Sequence, residues 1–255
     1  MMLVAENICV RRGGRAILDA VALEATVGEF IAVVGANGAG KSTLLSVLAG
    51  LLQPDSGRIV FKDRPLSQFD GSALARMRAY LPQNPRCEWP ISVERLVALG
   101  LIPRLPTFGG FSADDEQRIA RAIETGDLMD HRYQEATSLS GGELARAMLA
   151  RAYVGDPEAL IVDEPIAGLD PKHALDAMRR LKSFANDGKL VIAALHDLTL
   201  AVRYTTRIIA MRSGRVESDG PVASAMTTEM IRRVFDVEAR VLGSGEDGYV
   251  DFIGN

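Results

Sequence analysis

A glycine-rich segment, GANGAGKST at residues 35–43, constrains the fold of this 255-residue chain more than any other feature. It follows the apolar stretch EFIAVV (29–34) and precedes the helical pattern KSTLLSVLAGLL (41–52), which predicts a loop between a buried strand and a helix. Its glycines leave backbone N–H groups free to turn inward around phosphate oxygens, and the following helix N-terminus contributes its positive dipole end. We therefore call this segment the phosphate loop.

The phosphate loop satisfies the pattern G-x-x-x-x-G-K-[ST], in which the last two positions have separate chemical tasks. We expect Lys41 to reach the β- and γ-phosphates of a nucleotide and Ser42 to bind Mg²⁺. A nucleoside triphosphate and Mg²⁺ are the cofactors that this pattern predicts. The predicted nucleotide-binding residues of the loop are Gly35, Asn37, Gly38, Ala39, Gly40, Lys41, Ser42 and Thr43.

Two adjacent carboxylates end a second apolar stretch, EALIVDE at residues 158–164. Neighbouring residues of a strand point to opposite sides, so Asp163 and Glu164 can do different work. We assign Asp163 to the Mg²⁺ shell and Glu164 to polarising the attacking water. Taken alone, the run also fits a strand that simply ends in polar residues. Together with the phosphate loop it indicates phosphoryl chemistry.

Alternating strand and helix patterns organise the chain as one α/β domain over residues 1–255, with a parallel sheet covered by helices. Residues 1–30 and 56–82 have shorter strands and turns, which predict a small antiparallel sheet. Helical patterns replace strands at 90–154, with Ser112 as an N-cap and Gly126 as a stop, and predict an inserted helical subdomain. Residues 214–255 form a C-terminal extension with a hairpin, a helix, a strand and a loosely held glycine-rich end.

Composition narrows the class of protein. Hydrophobic residues at 47% and charged residues at 24% are ordinary for a globular chain, and a formal charge of −4 argues against a nucleic-acid partner. Cys9 and Cys87 form no CxxC, so neither a zinc site nor a disulfide framework is expected, which suits a reducing compartment. No signal-peptide pattern opens the chain, and its apolar runs are shorter than the ~20 residues of a spanning helix. Any membrane role is expected to come through a partner.

Six short motifs occur in an order that resembles the nucleotide-binding subunit of ATP-binding cassette (ABC) transporters. The phosphate loop corresponds to Walker A and Leu160–Glu164 to Walker B. YLPQ gives a Q-loop glutamine at Gln83, LSGGE gives the signature at 139–143, AGLD gives a D-loop that ends at Asp170, and LHD gives a switch histidine at His196. The resemblance covers nearly the whole chain and implies a P-loop NTPase fold, ATP as the nucleotide, and ATP hydrolysis coupled to transport.

The resemblance also implies a partner. In the family two copies pack head to tail, and each ATP lies between the Walker A loop of one copy and the signature of the other. Ser140, Gly141 and Gly142 would then serve the ATP of the second copy, since a hydroxyl and exposed N–H groups at a helix N-terminus suit a γ-phosphate. Read without the family, SLSGGE could be only a helix cap at Ser140 and a glycine turn.

Three further roles rest on the family alone. Gln83 would sense Mg²⁺ and the attacking water, His196 would contact the γ-phosphate, and Asp170 would link the two sites across the dimer. The remaining histidines, His131 and His173, are expected to be structural.

One position departs from the family. Related cassettes commonly place an aromatic residue in a VRYG-like stretch against the adenine, whereas this chain reads VRRG, with Arg12 at that place. A guanidinium plane can stack on a π-face, so Arg12 would still bind adenine. Arg12 as a solvated turn residue is the equal alternative.

The resemblance implies that ATP binding brings the two copies together and that hydrolysis releases them. We expect transmembrane permease subunits to receive this motion, with a substrate-binding protein as an indirect partner. The chain would then lie peripherally on the cytoplasmic face of the membrane. The segment NPRCEWPISVERLVALGLIPRLP (84–106) lies where the family has a groove that receives a short cytoplasmic helix of the membrane subunit. Trp89 is either part of that surface or buried in the chain's own core.

Several stretches resemble importers of ferric siderophores, haem and cobalamin, and the sequence favours iron chelates as cargo. Another ABC importer or exporter and a soluble ABC ATPase stay open, while a small-molecule P-loop kinase is disfavoured by the signature.

Overall fold

The computed structural model describes residues 1–106, 108–243 and 245–253. Its strands are β1 (Leu3–Arg12), β2 (Arg15–Ala25), β3 (Phe30–Gly35), β4 (Ser56–Phe61), β5 (Arg64–Pro65), β6 (Arg78–Leu81), β7 (Ala159–Asp163), β8 (Leu190–Ala194), β9 (Arg207–Arg212), β10 (Arg215–Pro221), β11 (Ala239–Leu242) and β12 (Tyr249–Phe252). Its α-helices are α1 (Lys41–Leu48), α2 (Gly71–Met77), α3 (Val93–Ala98), α4 (Ala113–Thr125), α5 (Gly141–Val154), α6 (Pro171–Asn186), α7 (Leu198–Tyr204), α8 (Val222–Ala225) and α9 (Thr228–Phe235).

A six-stranded sheet of order β10-β9-β3-β8-β7-β6 lies at the centre of the described residues. Its neighbours from β9 to β6 run parallel, and β10 returns antiparallel to β9 as the edge strand. Every residue of β3, β7 and β8 is buried. Strands that are apolar on both faces are those of a parallel sheet covered on both sides, as the sequence predicts.

Alternate residues of the same strands pack into two separate hydrophobic cores, because successive side chains of a strand point to opposite faces of the sheet. Ile31 and Val33 pack with α1 and the antiparallel sheet β2-β1-β4-β5. Ala32 and Val34 pack in the other core, which takes in the helices from α3 to α7 and reaches the C-terminal residues Ala239 and Val250. The predicted α/β fold, with a parallel core, an N-terminal antiparallel sheet and a helical part, is confirmed.

Local signals place the helices of the helical part. Ser112 caps α4 in a capping box with Asp115, and the helix ends at Gly126, as expected. Three acidic residues in its first turn complement the positive end of the helix dipole. The α4 helix packs against α3 and α5, and α5 carries the signature at its start.

Two boundaries differ from the predicted ones. The sequence pattern places the whole range 56–82 in the antiparallel sheet, but β6 pairs in parallel with β7 and belongs to the central sheet, because Ala79 and Leu81 meet Leu160 and Val162. The proposed extension at 214–255 begins with β10, which is likewise a strand of the central sheet. The hairpin, the helix TTEMIRRVF and the strand EARVL are present, whereas part of the glycine-rich end, residues 244 and 254–255, lies outside the described residues.

None of the helices in the described ranges combines the length and the apolar character that a membrane span requires.

Candidate functional site

The carboxyl ends of neighbouring parallel strands bring the predicted catalytic groups to one edge of the sheet. The phosphate loop follows β3, His196 follows the adjacent β8, Asp163 and Glu164 lie at the end of β7, and Gln83 follows β6. Segments distant in sequence therefore meet in the order in which the strands are hydrogen-bonded.

The glycines of the phosphate loop are required by both conformation and space. Gly40, the residue before α1, has a φ of 101°, and a Cβ there would lie 2.8 Å from the Ile17 carbonyl oxygen and 3.0 Å from Leu18 Cδ2. Gly35 is equally crowded by the Met211 carbonyl, whereas Gly38 has a φ of 79° and open space. The loop is thus wedged against β2 and β9 at its ends and open in its middle, where a phosphate would lie.

Lys41 is buried beneath this loop, with only 6% of its surface exposed. Its Nζ donates to the carbonyl oxygens of Gly35, at 2.8 Å, and Ala36, at 3.2 Å. Burial lowers the pKa of Lys41, and the nearby carboxylates of Glu164 and Asp163 partly oppose that shift. The ammonium is therefore held inside the loop by weak carbonyl acceptors, which a phosphate could replace with a stronger interaction.

Asp163 is 3% exposed, and its Oδ1 is a buried oxygen with no hydrogen-bond partner in the described structure. Burial raises the pKa of this carboxyl group, while the Ser42 hydroxyl and Lys41 lower it. A buried, unpartnered carboxylate oxygen needs a ligand to satisfy it. Carboxylate and hydroxyl oxygens suit Mg²⁺, which takes few protein ligands and completes its shell with water and substrate phosphates. Ser42 and Asp163 therefore fit this ion and would hold it.

Glu164 has a backbone conformation unusual for its residue type. Its φ is 53°, in the left-handed region, and its N–H donates to the Ala194 carbonyl oxygen at 3.2 Å, which ties the end of β7 to β8. Its side chain is 13% exposed and makes a short contact from Oε1 to His196 Nε2. The proposed base and the proposed switch histidine therefore touch each other directly. Contact of His196 with a γ-phosphate stays a prediction.

Gln83 lies exposed just after β6 and makes none of the hydrogen bonds found between described residues. Its role towards Mg²⁺ and water therefore stays a prediction.

The signature forms the N-terminus of α5. Ser140 is the N-cap, its hydroxyl accepts from Glu143 N–H, and the Glu143 carboxylate accepts from Ser140 N–H at 2.7 Å. These bonds lower the pKa of Glu143. The space next to Gly141 is open, whereas a Cβ built on Gly142 would lie 3.7 Å from the Leu169 side chain. The segment is a helix cap, as the local pattern alone predicts, and in the single chain no hydrogen bond or ion pair between described residues joins it to the phosphate loop.

Asp170 caps α6 and accepts from the backbone N–H of His173 at 3.0 Å, which is the main reason that its pKa is lowered. His173 Nδ1 adds a second contact to the same carboxylate, at 2.7 Å. His131 contacts Gln134 and Glu143. Both histidines are hydrogen-bonded and partly buried, as expected of structural histidines. The role of Asp170 across a dimer stays a prediction.

Arg12 and Trp89 are both exposed. Arg12 ends β1 at the hairpin turn, and its guanidinium makes none of the hydrogen bonds or ion pairs found in the described ranges. Both alternatives for Arg12 therefore stay open. Trp89 is 68% exposed, so the expectation that it could be tucked into the chain's own core is wrong. The indole lies on the surface of the segment between β6 and α3.

Sequence reasoning missed the support behind the phosphate loop. Gly214, in the β9–β10 turn, donates its N–H to the Ala39 carbonyl at 3.0 Å, and its own carbonyl accepts from Asp19 N–H at 2.9 Å. It therefore joins the loop to β2. The only sequence signal was a serine–glycine pair between two strand patterns, which predicts a turn and not its contacts.

The chain resembles known proteins both in sequence and in fold. The profile of the ABC transporter family matches residues 18–167. The chain is 37% identical to the hemin import ATP-binding protein HmuV of Pseudomonas aeruginosa, over 97% of this chain and 98% of that protein. It is 40% identical to the protein of the same name from Rhodopseudomonas palustris, over 89% of this chain and 85% of that protein.

Solved structures agree with the fold. A dimeric, post-hydrolysis structure of the ATP-binding cassette MJ0796 bound to ADP and phosphate has a TM-score of 0.79 and 26% identity, and the match covers 87% of this chain and 99% of that chain. An inward-facing, putative metal-chelate type ABC transporter has a TM-score of 0.82 at 22% identity, over 99% of this chain and 96% of that one, which shows likeness of fold.

Proposed function

The chain belongs to the ABC transporter family, and from this premise we propose that it is the ATP-hydrolysing subunit of an importer for haem or a related metal chelate. The ATPase activity follows from the family. The cargo, the direction of transport and the residue roles are what we propose.

The meeting of five groups at one sheet edge carries the catalytic part of the proposal. Lys41 and the N–H groups at the start of α1 would neutralise the negative charge that develops on the transferred phosphoryl group. Mg²⁺, when bound by Ser42 and Asp163, would supply further charge stabilisation at the phosphate oxygens. Glu164 would orient a water and take its proton, because its carboxylate is held by the fixed backbone at the end of β7. His196 would hold that carboxylate in place through their direct contact.

A second copy would complete each site. The signature at Ser140–Gly142 has an exposed Gly141, a partly exposed Gly142 and a helix N-terminus, yet no polar contact between described residues joins it to the phosphate loop of its own chain. We place it against the ATP of a partner copy packed head to tail. The likeness to dimeric cassette structures supports this arrangement.

The cargo proposal rests on relatives. The sequence favours iron chelates, including siderophores, and relatives named for hemin import match almost the entire chain. We therefore place haem first, with ferric siderophores and cobalamin as the alternatives to test. Permease subunits would carry the cargo, a substrate-binding protein would deliver it, and this chain would act from the cytoplasmic face.

Uptake in the native host tests the proposal. The chain is replaced by its Glu164→Gln form or by Glu116→Gln, a matched control at an exposed site on α4, and uptake of labelled hemin, a ferric siderophore and cobalamin is measured. We expect Glu164→Gln to abolish hemin uptake and Glu116→Gln to leave it unchanged. Loss of siderophore or cobalamin uptake instead would move the proposal to that cargo. Unchanged uptake of all three would refute the importer assignment.

The purified chain tests the chemistry separately. The Glu164→Gln form should bind ATP, hydrolyse it at least ~100-fold more slowly and elute as a dimer. A monomer with near-normal turnover would contradict both the role of Glu164 and the shared site.

A further inference from the structure

His173 connects the D-loop, which we define as residues 167–170, to the helical part of the chain. It lies in the first turn of α6, directly after the D-loop, and two of its nitrogens contact Asp170. Its remaining ring nitrogen, Nε2, faces the Asp127 carboxylate at 3.7 Å. The ring is only 18% exposed, so it is held between these two carboxylates and does not extend into solvent.

Asp127 is itself fixed to the helix that carries the signature. It follows the end of α4 with a φ of 54°, and its carbonyl oxygen accepts from Arg146 Nη2 at 3.4 Å. Arg146 Nε also donates to the preceding carbonyl, that of Gly126, at 3.1 Å. Arg146 lies on α5, less than two turns after Ser140. A continuous set of polar contacts thus runs from the D-loop through His173 and Asp127 to α5.

The D-loop also lies beside the signature. A Cβ built on Gly142 would lie 3.7 Å from the Gly168 carbonyl oxygen and 3.7 Å from Leu169 Cδ2, so the D-loop bounds the space next to this glycine. No hydrogen bond or ion pair between described residues joins the two segments at this point. The contact of His173 with Asp127 is a polar link between the D-loop and the helical part.

We propose that His173 is a positioning residue that makes the D-loop and the signature move as one unit. The inference rests on the proposed function, because both segments act on the second copy only in the ATP-bound dimer. Two loops that must engage the same partner surface lose less conformational freedom on binding when they are already held in register. His173 would supply that register without touching ATP.

Dimerisation of the full chain tests the inference. In the Glu164→Gln background with ATP and Mg²⁺, the dimer dissociation constant is measured by sedimentation for the parent, His173→Ala, Asp127→Ala and the double variant. Each single change should weaken the dimer about two- to fivefold, because the contact between His173 and Asp127 is partly exposed and contacts of this kind contribute little. The double variant should be no weaker than either single one, since both remove the same contact. Asp130→Ala is the matched control, because this exposed carboxylate in the same part of the chain makes none of the polar contacts found between described residues.

A conservative variant separates positioning from general destabilisation. In His173→Asn the amide nitrogen takes the place of Nδ1 and keeps the bond to Asp170, but it is too short to reach Asp127. We therefore expect it to weaken the dimer as Asp127→Ala does. With Glu164 restored, these variants should raise the ATP concentration for half-maximal hydrolysis and leave kcat unchanged. The two His173 variants should melt within about 2 °C of the parent, whereas Asp127→Ala places an alanine at a φ of 54° and should melt about 2–4 °C lower.

Four results would overturn the inference. Dimers as tight as the parent's in His173→Ala would show that the contact does not matter. Additive losses in the double variant, or a fall in kcat with unchanged half-maximal ATP, would assign the two residues separate roles. A parent that stays monomeric with ATP would refute the proposed function itself, and the inference with it.

Discussion

Replacing Gly214 by alanine tests whether the phosphate loop depends on its support from behind. A Cβ at this position would lie 2.5 Å from the Ile17 carbonyl oxygen and 3.3 Å from Leu18 Cα, both of them backbone atoms of β2. Gly188, after α6, provides a matched control. Both glycines have a φ of 80°, but a Cβ at Gly188 would meet nothing within 4 Å.

Both substitutions place an alanine in the left-handed region, but only Gly214→Ala also creates a steric clash. A left-handed alanine costs about 1–2 kcal/mol, part of which is offset by the lower entropy of the unfolded chain, so Gly188→Ala should lose about 1 kcal/mol. Gly214→Ala adds a clash with backbone that cannot rotate away, about 1–3 kcal/mol more. At roughly 2–4 °C per kcal/mol for a domain of this size, the melting temperature should fall about 2–4 °C for Gly188→Ala and about 4–16 °C for Gly214→Ala.

Only the substitution that creates the clash should also affect nucleotide binding. The Gly214 N–H donates to the Ala39 carbonyl, so displacing the β9–β10 turn displaces the phosphate loop. Thermal unfolding without nucleotide measures the loss of stability. Titration with a fluorescent ATP analogue below the melting range measures the affinity for nucleotide. We expect weaker nucleotide binding in Gly214→Ala alone. Equal losses of melting temperature in both variants would refute the steric argument, and parent-like nucleotide binding in Gly214→Ala would refute the coupling.

Four further substitutions test single groups of the site and surface. Lys41→Ala should weaken ATP binding by about tenfold or more in equilibrium titration, because a charge-assisted contact to phosphate is lost, and parent-like affinity would contradict its placement. Arg12→Tyr should leave ATP affinity unchanged or improve it, while a large loss would show that the guanidinium makes a contact that an aromatic ring cannot replace. Burial raises the pKa of Asp163, so its ionised form destabilises the folded state at neutral pH and its protonated form does not. Asp163→Asn should therefore raise the melting temperature of the nucleotide-free chain at pH 7.5, and this gain should disappear as the pH falls to about 4. The same substitution should abolish Mg²⁺-dependent hydrolysis. An equal gain in melting temperature at both pH values would contradict the electrostatic cause. Trp89→Ala should uncouple cargo uptake from ATP hydrolysis and spare the ATPase of the isolated chain, whereas unchanged uptake would remove this exposed indole from the permease interface.

Contiguous patterns made much of the fold predictable. The strand before the phosphate loop, the loop itself and the helix after it are consecutive in sequence. The spacing of the glycines and the change of hydrophobic period from strand to helix are therefore enough to predict all three. The same holds for Ser112 as the N-cap of α4, since a capping box closes within four residues. Runs such as ALIVD predicted buried parallel strands, because only a strand covered on both faces is apolar throughout.

Boundaries set by distant partners were not predictable in this way. The stretch RAYL reads as one more short strand after an antiparallel hairpin, and only its pairing with β7 places β6 in the central sheet. The exposure of Trp89 likewise depends on which elements pack around it, so its own sequence neighbours left two interpretations open.

The sequence by itself predicted which residues bind phosphate, Mg²⁺ and water, because those tasks depend on residue type and on spacing within a short segment. The tertiary structure alone decided that Glu164 touches His196, that Gly214 supports Ala39, and that His173 faces Asp127. In each of these cases the two partners lie on different elements. Their contact depends on strand order and helix packing, which arise from burial summed over the whole chain and leave no mark in the local pattern.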